Sequence, residues 1–232
     1  MASLAGGLVG LLVGGVGGRL FMGLLAGLNR EAHGVITSDG FPMGEVTLFG
    51  TLNLLAFTTM IGVLGGGIYL VVRDLRTGPP WFDTAAVVAG ATIVVGAVMV
   101  HADGPDFTLL EPTWAALALT LAVPLTYALV MPPLVERWLR EDSTLMSGTS
   151  RWPFVALVPW VFPLFFAGPP LLAGWWVRGV VTASPSPAAR AVRRAAPWAG
   201  RLALTGVFAL ALTDLVTEIA EIYRLVERRY AP

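Results

Sequence analysis

The chain opens with a long apolar run, and this run restricts the fold more than any other feature. From Ala2 to Leu28, only Ser3 and Arg19 are polar. At about 1.5 Å per residue, a helix of this length crosses a hydrocarbon core of about 30 Å. Because lipid offers no hydrogen-bond partner to a bare backbone, the run predicts a retained membrane-spanning helix.

The composition extends this prediction to the whole chain. Only 13% of the 232 residues are charged and the mean hydropathy is +0.74, whereas about a quarter of a soluble domain is charged. The net charge is zero, so a nucleic-acid partner is not predicted. The chain has neither cysteine nor lysine, which excludes disulfides, thiolate metal sites and Schiff-base chemistry.

Further apolar blocks predict an all-α integral membrane protein, a single domain of residues 1–232 with a bundle of about six transmembrane helices. Pro132 and Pro133 are expected to end the fourth span, because proline interrupts helix hydrogen bonding. The fifth block is rich in proline, so the alternative is five spans plus a proline-rich re-entrant segment. The predicted spans are about residues 3–28, 47–72, 84–100, 113–131, 153–177 and 201–222.

The distribution of arginine predicts an orientation. Arginine-rich loops usually stay in the cytoplasm, which places the loops with Arg73 and Arg137 inside and the acidic loop of residues 101–112 outside. Six spans then put the arginine-rich segment 178–201 outside and the C-terminus inside, and the re-entrant alternative reverses both. Segment length favours six spans, whereas the distribution of arginine favours the alternative.

Two polar loops, residues 33–51 and 101–113, lie on one side of the membrane in either topology and hold both histidines. If the loops meet, their carboxylates and imidazoles would form a cation site or sense pH. The alternative is that these residues form turns and helix caps. No spacing matches a known metal motif, so the metal is left unknown. The candidate ligands are His33, Asp39, Glu45, His101, Asp103, Asp106 and Glu111.

Three charged residues lie inside or at the ends of predicted spans. Arg19 is a cation in the first span, where a charge is costly unless it pairs or reaches the interface. Asp214 and Glu218 are one turn apart on the last helix, and they would form a proton relay or pair with Arg19. The alternative is that Arg19 snorkels to the interface and that Glu218 lies in water.

The first span also carries a glycine at every fourth position: Gly6, Gly10, Gly14 and Gly18. Glycines at this spacing share one helix face and let two helices approach closely in lipid. Besides the lipid bilayer, the expected partner of this face is another helix of the same chain, a second copy of the chain, or another membrane protein. No cofactor is predicted.

Three runs of the sequence, GVITSDGFPMGEVTLFGT, GVLGGGIYLVVRDL and HADGPDFTLLEPTW, resemble a family of uncharacterised multi-pass membrane proteins from GC-rich actinobacteria. The resemblance covers residues from about 10 to 140, and the two Asp-Gly loops are its most specific parts. It implies a location in the bacterial plasma (inner) membrane. It implies no activity, so no functional residues follow from it.

Two functions are carried forward as hypotheses. The first is a structural or interaction protein whose two acidic outer loops are the docking surface. The second is a small transporter, channel, or ion or pH sensor that uses those loops together with Arg19 and Asp214. The sequence has no nucleophile elbow and no supported Ser-His-Asp arrangement. An enzyme is therefore not the expected function, although intramembrane catalysis is left open.

Overall fold

The computed structural model describes residues 2–38, 40–76, 78–139 and 186–230. Within these residues, five helices are long and apolar enough to cross a membrane, and the described part contains no β-strand. The predicted all-α membrane fold is therefore confirmed. The five helices are α1 (Ala2–Leu28), α2 (Leu48–Arg73), α3 (Pro80–Met99), α4 (Thr113–Trp138) and α5 (Pro187–Tyr230).

Local signals explain where α2 and α3 begin. Thr47 caps α2, because its Oγ1 accepts a hydrogen bond of 3.1 Å from the backbone N–H of Gly50. Pro80 occupies the first turn of α3, where a missing N–H costs nothing and the fixed φ suits a helix. The third helix therefore begins before the predicted residue 84.

The fourth helix contradicts the prediction made for its end. α4 continues through Pro132 and Pro133 to Trp138, so the expectation that these prolines end the span is wrong. The reason is tertiary packing on either side of the prolines. Met131 and Val135 are buried in a cluster with α1 and α2, and this burial offsets the hydrogen bonds that the prolines cannot donate.

α1 and α2 are antiparallel and touch backbone to backbone at their glycines. A Cβ added to Gly6 would overlap the carbonyl oxygen of Gly62, and one added to Gly10 would overlap that of Thr58. One added to Gly14 would lie 2.9 Å from the Cβ of Thr58. The predicted glycine face is therefore occupied by α2 of the same chain.

The remainder of this face is less crowded. A Cβ on Gly18 would meet only Leu54, at 3.9 Å, so close packing ends before the predicted fourth glycine. The segment Gly10–Gly17 of α1, which includes two of the closely packed glycines, is π-helical. Half of its residues are glycine, which leaves the wide turns free of side-chain crowding.

α4 is the central helix of the bundle. The hydroxyl of Tyr127 donates a hydrogen bond of 2.6 Å to the carbonyl of Gly62, which attaches α4 to the α1–α2 pair. Extensive packing joins α1 to α2, α1 to α4, α3 to α4 and α3 to α5. No such packing joins α2 to α3, although they are neighbours in the chain, so a groove is left between them.

Contacts at both ends of α5 determine its direction. The Arg201 Nε donates to the carbonyl of Leu75 at 3.0 Å, beside the connection from α2 to α3. We call this end of the bundle the arginine end. The Glu218 Oε2 accepts from the backbone N–H of Ala102 at 2.6 Å, beside the connection from α3 to α4. We call this opposite end the loop end.

This direction contradicts the six-span topology. That topology requires residues 178–201 to lie at the loop end and the C-terminus to lie at the arginine end. Residues 187–201 lie at the arginine end and the last turns of α5 at the loop end, as in the five-span alternative. The physical reason is charge, because this arrangement puts Arg190 and Arg194 at the same end of the bundle as Arg73 and Arg76. The predicted fifth span, residues 153–177, lies outside the described residues.

The direction of α5 is testable by labelling, because the chain has no cysteine of its own. Ala188 and Glu227 are both exposed and lie toward opposite ends of α5. We expect a membrane-impermeant maleimide to reach Ala188→Cys and Glu227→Cys from opposite sides of the membrane. Labelling of both variants from the same side would contradict the assigned direction.

The glycine contact between α1 and α2 predicts a loss of stability on adding one methyl group. A Cβ at Gly62 would overlap the Gly6 carbonyl oxygen and lie 2.9 Å from the Cα of Gly10. We expect Gly62→Ala to lower the free energy of unfolding in detergent by about 1–3 kcal/mol. Gly206→Ala is the control, because a Cβ there meets nothing within 4 Å. Equal stability of the two variants would refute the contact.

Candidate functional site

The two predicted loops lie together as one layer over the loop end of the bundle. Residues 29–38, 40–47 and 100–112 form this layer with the last turns of α5, and we call it the cap. Its members share a buried apolar core, in which the side chain of Ile222 on α5 is fully enclosed. The core residues in the cap are Ala32, Met43, Val100, Phe107, Leu110 and Ile222.

Hydrogen bonds between distant parts of the chain hold the cap together. Asn29 binds the backbone of Glu111 twice, accepting from its N–H at 2.7 Å and donating to its carbonyl at 2.9 Å. The backbone N–H of Ser38 donates to the Asp106 carboxylate at 3.1 Å. The condition on which the predicted site depends, that the two loops meet, is therefore fulfilled.

The first loop folds into a small hairpin within the cap. Ile36 and Pro42 form an isolated antiparallel bridge, and the Thr37 hydroxyl donates to the carbonyl of Phe41 at 2.9 Å. Gly34 and Gly44 take φ values of +81° and +79°, which L side chains rarely adopt. The loop is thus built by turn chemistry.

The predicted ligands of the loops are not gathered into one metal site within the described residues. His33 Nε2 donates to the carbonyl of Ala26 at 3.0 Å, and His101 Nε2 donates to that of Val98 at 2.8 Å. Each imidazole therefore binds the end of the helix that precedes it. Among the described residues, no three His, Asp or Glu side chains are placed to hold a metal ion. Glu45, Asp103 and Glu111 are exposed, and Asp39 lies outside the described residues.

The sequence left open a pairing of Arg19 with Asp214, and the described residues show no ion pair between them. α1 packs mainly against α2 and α4, whereas α5 packs mainly against α3. Asp214 is exposed on α5. Glu218, predicted as a relay partner of Asp214, instead binds the Ala102 amide and attaches α5 to the cap.

A cavity of about 1880 Å³ lies beneath the cap and extends toward the arginine end. All five helices contribute to its lining, and its walls on α2 and α3 are mainly apolar. It exceeds the roughly 300–1,000 Å³ of pockets for drug-sized ligands. Along the groove, wall residues stay open to the surroundings: Phe57 is 54% exposed, Ile68 62% and Val98 72%.

Arg19 faces this cavity near its loop end. Its Nη2 lies 3.1 Å from the position that a Cβ on Gly50 would take, so the guanidinium lies against the first turn of α2. Its Nε is buried and has no hydrogen-bond partner. The guanidinium also makes no ion pair with any residue in the described ranges. Sequence reasoning identified the cation but left its partner open.

A charged cluster at the arginine end was missed by the sequence predictions. Glu136 Oε1 accepts from the Tyr69 hydroxyl at 2.8 Å, from Arg73 Nε at 3.1 Å and from Arg76 Nη2 at 3.5 Å. The Arg76 guanidinium also lies 5.6 Å from the centre of the Tyr69 ring. Tyr69 and Arg73 are one helical turn apart, and this spacing was the available signal. The cluster joins α2 to α4.

No family model matches the chain, and no curated protein or solved structure shows significant similarity to it. The resemblance of residues 10–140 to an actinobacterial membrane family therefore stays a prediction. What the site does has to be argued from its geometry.

The paired hydrogen bonds of Asn29 predict how the cap responds to mutation. Asn29→Ala removes both bonds to the Glu111 backbone, each worth about 1 kcal/mol. We expect protection of the Glu111 amide from hydrogen exchange to fall by about tenfold or more. Protection of Tyr127 and its neighbours in α4 should stay unchanged. Unaltered exchange at Glu111 would contradict the proposed link.

Proposed function

We propose that the protein binds an amphiphilic molecule of the membrane in the cavity beneath its cap, as a carrier or receptor for that molecule. The cavity supports this proposal, because its walls on α2 and α3 are mainly apolar and its charged lining residues lie toward its two ends. A ligand with a polar head and a long apolar body matches that distribution of groups. This favours the transport-related hypothesis over a purely structural one.

The groove between α2 and α3 supports entry from the bilayer. These helices are not extensively packed against each other, and apolar side chains along the groove are more than half exposed. A lipid molecule could then pass sideways from the membrane into the cavity without crossing water. An ion pathway has less support, because it needs rings of carbonyls or charges along the pore, and Asp214 does not line the cavity.

We propose that the protein belongs to the bacterial plasma membrane, with its cap outside. Acidic residues outnumber arginines in the described part of the loop end, and arginines outnumber acidic residues at the other end. The positive-inside tendency then assigns the arginine end to the cytoplasm.

A second candidate function is an interaction platform on the outer side. The observation that favours it is the ordered cap, in which distant parts of the chain share one core and several hydrogen bonds. Its exposed acidic groups, among them Glu45, Asp103 and Glu111, suit a basic partner. The two functions are compatible, because a partner bound to the cap would contact the layer of residues that covers the cavity.

Filling the cavity tests the first proposal. Gly90 lines the cavity on α3 and a Cβ there meets nothing within 4 Å, so Gly90→Phe puts a ring into open space. Gly206→Phe on α5 is the matched control, because that glycine is equally open but does not line the cavity. We expect Gly90→Phe to lower photo-crosslinking to a diazirine-bearing phospholipid by about fivefold or more.

The measurement uses full-length protein in detergent, with adducts quantified by mass spectrometry and thermal stability recorded for each variant. Both phenylalanine variants should melt close to the unaltered protein. If Gly90→Phe and Gly206→Phe crosslink equally, the cavity is not the binding site and the platform function is preferred.

A further inference from the structure

We infer that the molecule bound in the cavity is an anionic phospholipid and that Arg19 binds its phosphate. This inference rests on the proposed function and adds the chemistry of the head group. The arrangement behind it is a guanidinium that pairs with no described residue, beside a helix N-terminus and at the loop end of an apolar cavity.

The first argument is the uncompensated charge of Arg19. The Nε of Arg19 is buried without a hydrogen-bond partner among the described residues, and leaving a buried donor unpaired is unfavourable unless a ligand supplies the missing acceptor. The acidic residues Glu45, Asp103 and Asp106 also line the loop end of the cavity, but none of them pairs with Arg19. Of these, Asp106 already accepts from Ser38. No acidic group in the described ranges therefore pairs with Arg19, and a bound anion would supply the acceptor.

The second argument is the helix end that lies against the guanidinium. α2 begins at Leu48, and Gly50 in its first turn contacts Arg19. The N-terminus of a helix carries partial positive charge and unpaired N–H groups, of which Thr47 satisfies the one on Gly50. A guanidinium binds phosphate through two parallel hydrogen bonds. The Arg19 guanidinium and the N-terminus of α2 thus both favour a phosphate at this place.

The third argument is the position of Arg19 along the bundle. From Gly50 to Tyr69, α2 rises by about 29 Å, close to the roughly 30 Å of a hydrocarbon core. Arg19 lies at the Gly50 level, where hydrocarbon meets head groups, and the apolar cavity extends from there toward the other side. Acyl chains would lie along these walls. An inorganic phosphate would gain nothing from the walls, and a neutral lipid would leave the cation unpaired.

The test compares two photoreactive lipids with identical acyl chains, phosphatidylglycerol and diacylglycerol, on the full-length protein in detergent. We expect the unaltered protein to crosslink phosphatidylglycerol more efficiently. Arg19→Gln should lose this preference, with phosphatidylglycerol adducts falling by about tenfold and diacylglycerol adducts unchanged. Arg19→Lys should restore part of the preference. Arg228→Gln is the control, because Arg228 is exposed on the same side and does not line the cavity.

The outcomes separate this inference from the function on which it rests. If Gly90→Phe abolishes crosslinking while Arg19→Gln retains the preference for phosphatidylglycerol, the cavity binds lipid but Arg19 does not recognise the phosphate. If neither lipid crosslinks to the unaltered protein, the proposed function itself fails. Displacement of the lipid by millimolar inorganic phosphate would overturn the inference, because it would show that the head group alone is bound. The melting temperatures of the variants show whether they fold. Arg19→Gln removes a cation that pairs with no described residue, so its melting temperature should stay close to that of the unaltered protein.

Discussion

The close contact between the glycines of α1 and α2 determines the arrangement of the other helices. Within lipid, no hydrophobic force drives two apolar helices together, so their association depends on van der Waals contact and on hydrogen bonds. The Gly6–Gly62 contact provides this closeness, and the Tyr127 hydroxyl then donates to the Gly62 carbonyl and brings α4 over the pair. With α4 in this position, α3 packs on α4 and α5 and leaves the groove beside α2 open.

The apolar runs alone predicted the first four helices in number and approximate length. Their ends were less predictable, because each end is decided by packing or capping that the pattern does not contain. Pro132 and Pro133 remain within α4 because Val135 beyond them is buried. The direction of α5 follows from its contacts at Leu75 and Ala102. The distribution of arginine predicted this direction, whereas segment length favoured the six-span topology.

The candidate site was predictable in position but not in chemistry. The sequence placed the two loops on one side of the membrane and left open whether they meet. It did not reveal that both histidines bind helix-end carbonyls, because such bonds depend on how each helix terminates. The cavity had no sequence signal at all. It arises because α2 and α3 do not pack extensively against each other, whereas the periodicity of apolar residues indicates only which helix faces are packed.

Arg19 is the point at which the fold and the site are linked. A snorkelling arginine would extend its polar atoms to water, but the Nε of Arg19 is buried against a helix that the glycine contact holds close. The lack of a side chain at Gly50 admits the guanidinium, so the same close packing that builds the bundle also encloses the Arg19 Nε. A cation placed in this way, at the end of the bundle richer in acidic residues, would be stabilised by an anion, and none of the described acidic residues pairs with it. A lipid phosphate, anchored by acyl chains in the cavity, meets that requirement at the depth where Arg19 lies.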